Sequence, residues 1–356
     1  MSAFYSIPKF KLLCFFFIIL LSSGYAVESK VAILGESFTN GNGVSGFNEE
    51  VVGRLFSIIR DKRPDAVIFT GNMVLGLDRN LPKEEVPMTF KARVSRTWDV
   101  GSEEDVWPHE GFQYNSNAFQ KQLNAFLHIK ESRLGNEIPF YPIIGMHEAF
   151  GPDSSKQFIS AFKLKSVAKE SVSPLSYTFT INNSLFILFS NAKFNEHTQS
   201  TLMHSINREL LDWLNQILVS QRKKYDFAFV IGNEPAFSTT ASNGLFQGLD
   251  KDPDSRNRFW KILLDNQVTA YFCSKEHLYD RTNRYGIWQI ISGGGGAAFY
   301  KREFDKAFYH FLLLSIPGTN QQLPKIQVFD AQGVLADEFD LSPSTYPVYQ
   351  LRISTK

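Results

Sequence analysis

The sequence predicts an α/β protein in which two sheets pack face to face with helices outside. Three observations carry that prediction. Short apolar runs alternate with amphipathic segments through most of the chain, and strands alone follow them towards the C-terminus. The chain has 356 residues, 43% of them hydrophobic, which is enough for a large core. It has only two cysteines, so packing and not a disulfide framework must hold it together.

The first 26 residues read as a signal peptide. Lys9 and Lys11 make a basic start, 12–21 is apolar, and small residues at 24 and 26 flank a cleavage position. Ten apolar residues are too few to span a bilayer comfortably, and no later segment has a membrane span's length and apolarity. The expectation is an exported protein, secreted or held in a periplasm, cell surface or secretory pathway. Its domain would cover 27–356, with no membrane span after cleavage. Losing the leader removes Cys14, Lys9 and Lys11, leaves Cys273 alone, and moves the net charge from +1 to −1. That balance argues against nucleic acid as a partner. Asn182, with Ser184 two residues on, is a glycosylation acceptor in a eukaryotic host.

In chain order, 31–34 reads as a buried strand and 47–60 as a helix, with Val51, Leu55, Ile58 and Ile59 on one side. Strands are expected at 66–70 and 138–144. A hairpin is expected from 177–181 and 185–189 around the Asn182-Asn183 turn. Helical spacing returns over 205–219, where Leu210, Leu211, Trp213, Leu214 and Leu218 share a face. Further strands read at 227–231, 268–272 and 287–291. A C-terminal β region over 305–356 holds 311–316, 326–329 and 348–353. The stretch 81–116 fits none of this. It is long, polar and rich in Glu and aromatics, and reads either as a solvated insertion or as a lid or partner surface.

Five segments, each following an apolar run, carry the functional signal: Gly35-Glu36-Ser37-Phe38, Gly71-Asn72, Gly145-Met146-His147-Glu148, Gly232-Asn233-Glu234-Pro235, and Ser274-Lys275-Glu276-His277-Leu278-Tyr279. In order and context they resemble the signature of the calcineurin-like metallophosphoesterases, which include the purple acid phosphatases. That signature runs roughly D-x-H, G-D, G-N-H-E, H-x-P and G-H-x-H. The resemblance covers about 31–296 and implies a four-layer α/β/β/α sandwich with the motifs at strand C-terminal ends. It also implies two-metal phosphoester hydrolysis, in which the ions polarise the phosphate and activate water.

The resemblance assigns each segment a place. The first ion would meet Glu36, Phe38, Asn72 and His277, with Leu75 where the purple acid phosphatases use a Tyr. The second would meet Asn72, Met146, Asn233 and Lys275. Phe38 cannot ligate, Met146 is a soft thioether, and Lys275 brings positive charge where a cation should sit. His277 is the one clear match. The expectation is therefore no metal, or a single weakly bound divalent ion such as Fe, Mn or Zn. Lys275 is expected to take the vacated metal space and pair with Glu36. His147 matches the family's non-ligand His and reads either as a catalytic group, donating a proton or meeting an anion, or as a structural residue. Glu148 reads as a local hydrogen-bonding acid, and the Gly293–Gly296 run as a tight turn. The leading expectation is an exported, catalytically degenerate phosphoesterase-fold protein that binds an anionic ligand or a protein. The alternatives are a weak or single-metal phosphatase using Glu36, Asn72 and His277, and a structural envelope or extracellular protein.

Overall fold

The computed structural model describes residues 28–39, 45–78, 114–164, 175–195, 200–240, 248–299 and 306–342. The leader, positions 81–113 of the insertion and the strand expected at 348–353 lie outside these residues.

The first sheet forms around β1 (Ser29–Leu34), an apolar strand buried on both faces. Val31 and Ile33 turn towards the second sheet, while Ala32 and Leu34 turn towards helices. This is why the run is continuously apolar and does not alternate. β1 pairs in parallel with β2 (Ala66–Phe69), and β2 with β3 (Phe140–Pro142). On its other side β1 pairs antiparallel with β12 (His310–Ile316), followed by β13 (Lys325–Asp330) and β14 (Leu335–Asp340). The C-terminal β region therefore completes the first sheet, in the order β14-β13-β12-β1-β2-β3.

The second sheet runs β10-β11-β9-β8-β5-β4. Its parallel centre is β5 (Ser184–Leu188), β8 (Phe227–Ile231), β9 (Ala270–Cys273) and β11 (Ile287–Ser292). Antiparallel β4 (Tyr177–Ile181) and β10 (Tyr279–Arg284) form its edges. A two-stranded ribbon, β6 (Lys193–Asn195) with β7 (Ser200–Leu202), stands apart.

Helices cover both outer faces. α1 (Glu49–Lys62), α2 (Ser116–Arg133) and α3 (Ser154–Phe162) pack Leu55, Phe56, Phe126 and Phe158 on the first sheet. α4 (Arg208–Gln221) and α5 (Pro253–Asp265) pack Leu210, Leu214, Phe259 and Trp260 on the second. Between the sheets, Val31, Ile33 and Leu312 meet Phe186, Phe229 and Phe272. The layers are α/β/β/α, as expected. Asn48, Asn115, Asn207 and Asp252 each cap a helix by accepting a first-turn N–H.

Several boundaries differ from the sequence reading. The strand expected over 138–144 shrinks to β3, and Ile143 and Ile144 turn, buried, into a site loop. α4 starts at Arg208 because Asn207 takes the cap position. Ser116, read as the end of the insertion, is the first residue of α2. Helices α2, α3 and α5, the ribbon β6–β7, and β10 and β14 were not anticipated.

Phe229 is fully buried between the sheets, 5.1 Å from the Phe186 ring and 6.0 Å from that of Phe272. Phe229→Ala should lower stability by about 3–5 kcal/mol in urea denaturation. Val219→Ala, at a position 64% exposed on α4, should change it by less than about 0.5 kcal/mol.

Candidate functional site

The five motif segments leave the C-terminal ends of β1, β2, β3, β8 and β9 and meet at one end of the sandwich. Backbone bonds fix their approach. The Ser37 N–H donates to Asn72 O at 2.9 Å, Ser274 N–H to Asn233 O at 2.9 Å, and Ala297 N–H to Glu36 O at 2.8 Å. Glu36, Asn72 and Lys275 all take left-handed backbone conformations, with φ of 63°, 55° and 60°. Asn tolerates that region; Glu and Lys do so at a cost of about 1–3 kcal/mol each, which surrounding contacts have to offset. The loops are packed tightly enough that a Cβ on Gly145 would lie 2.2 Å from Asn72 Oδ1.

At the centre is the Glu36 carboxylate, with no solvent exposure. Its Oε1 accepts from Asn233 Nδ2 at 2.9 Å, Ser274 Oγ at 2.8 Å and the Lys275 backbone N–H at 2.7 Å. Its Oε2 accepts from Asn72 Nδ2 at 2.9 Å and faces His277 Nε2 at 3.6 Å. Burial alone would raise the pKa of this carboxyl. His277, Asn72 and Ser274 outweigh it and hold Glu36 below the usual range.

The amide orientations follow from their partners. Asn72 turns its nitrogen to Glu36 because its Oδ1 accepts the His147 N–H at 3.1 Å. Asn233 Nδ2 also donates to Thr70 O at 2.8 Å. Turning either amide around would set oxygen against oxygen.

A second buried acid braces the loops. Glu148 Oε2 accepts the Asn72 and Gly145 N–H groups, each at 2.9 Å, and Oε1 accepts that of Val74 at 3.0 Å. Burial pushes its pKa up to about 7 against these bonds. His147 is buried beside it, with its ring stacked 3.7 Å from Phe38 and its Nδ1 3.1 Å from Leu75 O. Burial lowers its pKa to about 3, so the ring is neutral at physiological pH and carries no charge to attract an anion. His277 presents Nδ1 to Ala298 O at 2.5 Å and Nε2 to Glu36, so two oxygen acceptors face its two ring nitrogens.

Lys275 departs from the expected pairing. Its backbone N–H reaches Glu36, but its ammonium turns away to Glu234 Oε1 at 3.3 Å. Glu36 is already filled by closer donors, whereas Glu234 is a buried carboxylate with room for a cation. Glu234 Oε1 also accepts the His204 backbone N–H, and Oε2 faces His204 Nδ1, both at 3.1 Å. Burial would raise the Glu234 pKa, but Lys275 and His204 lower it to about 2. The sequence reading missed Glu234 and His204 as site residues. The available signal was that a buried Lys275 requires an acid, and Glu234 directly follows Asn233 in the fourth segment.

The donor set does not fit two divalent ions. The nitrogens of Asn72 and Asn233 point inward where ligand oxygens or imidazoles would be needed, and the Glu36 oxygens are taken by hydrogen-bond donors. Phe38 and Leu75 sit in a small apolar cluster with Leu77 and Ala297, against which Tyr114 and Phe150 pack. Among the described residues, no group of three His, Cys, Asp or Glu side chains is arranged to hold a metal.

No protein-family model matches this chain, and no curated protein matches it by sequence. Solved structures do. A purple acid phosphatase from yellow lupin (Lupinus luteus) seeds, PPD1, superposes with a TM-score of 0.62 at 14% identity, over 89% of this chain and 54% of its own. The chain thus spans about half the length of the lupin enzyme. A dimetal phosphatase from Danio rerio matches with a TM-score of 0.59 at 11% identity, over 89% of this chain and 99% of its own. The chain has the calcineurin-like metallophosphoesterase fold. GAP50, the anchor in the inner membrane complex of Plasmodium, also shares it, with a TM-score of 0.53 at 14% identity over 90% of each chain. At these identities the likeness concerns the fold, and the Glu36 centre has to be read from this chain's own residues.

Two measurements probe that centre of the metallophosphoesterase fold. Glu36→Ala would take from the buried Asn72 amide and the Lys275 backbone N–H the carboxylate they donate to, and should cost about 3–5 kcal/mol in urea denaturation at pH 7. His147 has the opposite pH logic to a salt-bridged histidine. Its folded pKa of about 3 lies below the ordinary 6.5, so its contribution is complete above pH 6.5 and is lost as pH falls towards 3. Glu148 slopes the other way, its contribution being lost as pH rises through about 7. His147→Phe should therefore remove an acid-side loss of about 1.4 kcal/mol per pH unit, seen by comparing wild type and variant at pH 6.5 and pH 5.

Proposed function

We propose that this chain is an exported phosphoesterase-fold protein that acts by binding and not by hydrolysis, as a docking or anchoring scaffold. One observation carries this reading. The position where the fold's chemistry would need cations is centred on a carboxylate, Glu36, whose oxygens are filled by protein donors. Further support comes from burial. Glu36, Asn72, Asn233, Lys275 and His277 are each at most 4% exposed, which supports a centre that packs against the protein rather than one that meets a phosphate ester. Phe38, Leu75 and Met146 occupy ligand positions with apolar side chains that contribute packing.

The anchoring role draws on the Plasmodium structure, a protein named as an anchor and built on the same fold. An anchor needs a rigid body and an accessible surface, and has no need of metals. The partner is then a protein docking on the outer surface. An anion held at His147 and Lys275 is disfavoured, because His147 is neutral and Lys275 is paired. Export draws on the leader over 1–26.

The test uses the purified full chain, loaded with Fe, Mn or Zn and dialysed. The expected result is sub-stoichiometric metal and no p-nitrophenyl phosphate turnover above that of the metal salts alone. One bound ion per chain with turnover that disappears in His277→Ala would establish the single-metal hydrolase instead.

A further inference from the structure

We propose that Glu234, His204 and Met203 form an internal ammonium socket filled by the chain's own Lys275, and that this contact latches the β6–β7 ribbon to the loops that follow β8 and β9. The proposal rests on the reading of the cleft as a metal-free site and adds what occupies its second half. The Lys275 ammonium is 3.3 Å from Glu234 Oε1 and 3.5 Å from Met203 Sδ, and its side chain is 3% exposed. Glu234 therefore has two tasks. It takes the ammonium, and it accepts the backbone N–H and the Nδ1–H of His204, the second residue beyond the ribbon.

The chemistry selects an ammonium over a metal ion. With Glu234 held as a carboxylate, which can only accept, the hydrogen between it and His204 Nδ1 belongs on the nitrogen, which then has no lone pair to give a metal. Met203 presents a thioether, a poor ligand for a hard cation. A divalent ion would find one carboxylate; a primary ammonium finds an acceptor and a polarisable surface, and brings its own hydrogens. His204 and Lys275 both hold left-handed backbone conformations, φ 63° and 60°, so both sides of the contact are strained into place.

The ribbon needs such a latch. It pairs over three residues on each strand, and a two-stranded unit is marginal by itself. Thr201 Oγ1 also ties it to the body, donating to Ala149 O at 2.9 Å. Opening the ribbon would pull His204 off Glu234 and Met203 off the Lys275 ammonium, while the ion pair stays on the loops after β8 and β9; the pair holds Glu234 in place to accept from His204.

The test is chemical rescue in the full chain, read by thermal unfolding and amide exchange. Lys275→Ala should melt lower by on the order of 5–10 °C. Exchange over 200–204 should quicken on the order of tenfold. n-Butylammonium chloride should restore both saturably in the variant, with no effect on wild type or on Lys275→Ala combined with Glu234→Gln. Tetramethylammonium, which has no N–H, should not restore them. Rescue by Zn but not by butylammonium would overturn the socket and the metal-free reading together. No rescue by any cation, with the metal assay still negative, would overturn the socket alone. Should Lys275→Ala fail to fold, Lys275→Met answers the same question. The proposal requires it to be destabilised and to recover when Glu234→Gln is added, and wild-type stability of Lys275→Met alone overturns it.

Discussion

The structure depends on one buried charge. Glu36 carries a carboxylate with no access to water, and a charge so placed has to be surrounded by donors or not exist. The donors come from positions 72, 233, 274 and 275, with His277 alongside, so three separate stretches of chain are drawn to one group. The left-handed turns at Glu36, Asn72 and Lys275 are affordable only in that arrangement, because each turn aims a donor or the carboxylate itself. Glu148 repeats the logic one layer away, tying the loops after β2 and β3 through three backbone N–H groups.

The Danio rerio structure of the same fold is described as a dimetal phosphatase. Here the polarity of the centre is reversed. A metal site puts acceptors around a cation; this one puts donors around an anion. The reversal is self-consistent down to the amides. Asn72 can point nitrogen at Glu36 only because the His147 N–H occupies its oxygen, and that N–H is placed by the turn that Glu148 holds. Around this centre, Phe38 covers the His147 ring and packs with Leu75 and Leu77, so water is kept from both.

Much of the fold was legible because its signals are local. Val31 to Leu34 is apolar on both faces and could only be a central strand, and the 3.6-residue spacing of Leu210, Leu211, Leu214 and Leu218 could only be a buried helix face. What was missed lacked contrast. β10 reads Tyr-Asp-Arg-Thr-Asn-Arg and is a strand because β11 pairs with it, not because of its own composition. α2 buries Phe119, Leu123 and Phe126 among polar residues and follows directly on a polar insertion, which hid its start. At the site, the converging residues were legible from motif order, but their partners were not. Sequence proximity in the motifs cannot say that Ser274 Oγ and two amide nitrogens saturate Glu36, and without that saturation the pairing of Lys275 with Glu36 looks as good as any other.

That saturation decides where the cation goes. A carboxylate oxygen accepts comfortably from two or three donors, and Glu36 Oε1 already has three while Oε2 has Asn72 and the His277 ring. An ammonium brought to Glu36 Oε2 would have to displace the Asn72 amide, stranding a buried donor at a cost of about 1–3 kcal/mol. Glu234 offers the ammonium an acceptor at no such cost, and without Lys275 it would be a buried anion held, among the described residues, by His204 alone. Pairing Lys275 with Glu234 therefore satisfies two buried carboxylates, where pairing it with Glu36 would satisfy one and strand the other. The cleft resolves into two neighbouring units, Glu36 facing His277 and Glu234 facing Lys275, and each meets its carboxylate with nitrogen donors from the chain itself. Among the described residues, both carboxylates at the centre of the site are therefore answered from within the chain, and this is the arrangement on which the proposed role in docking rests.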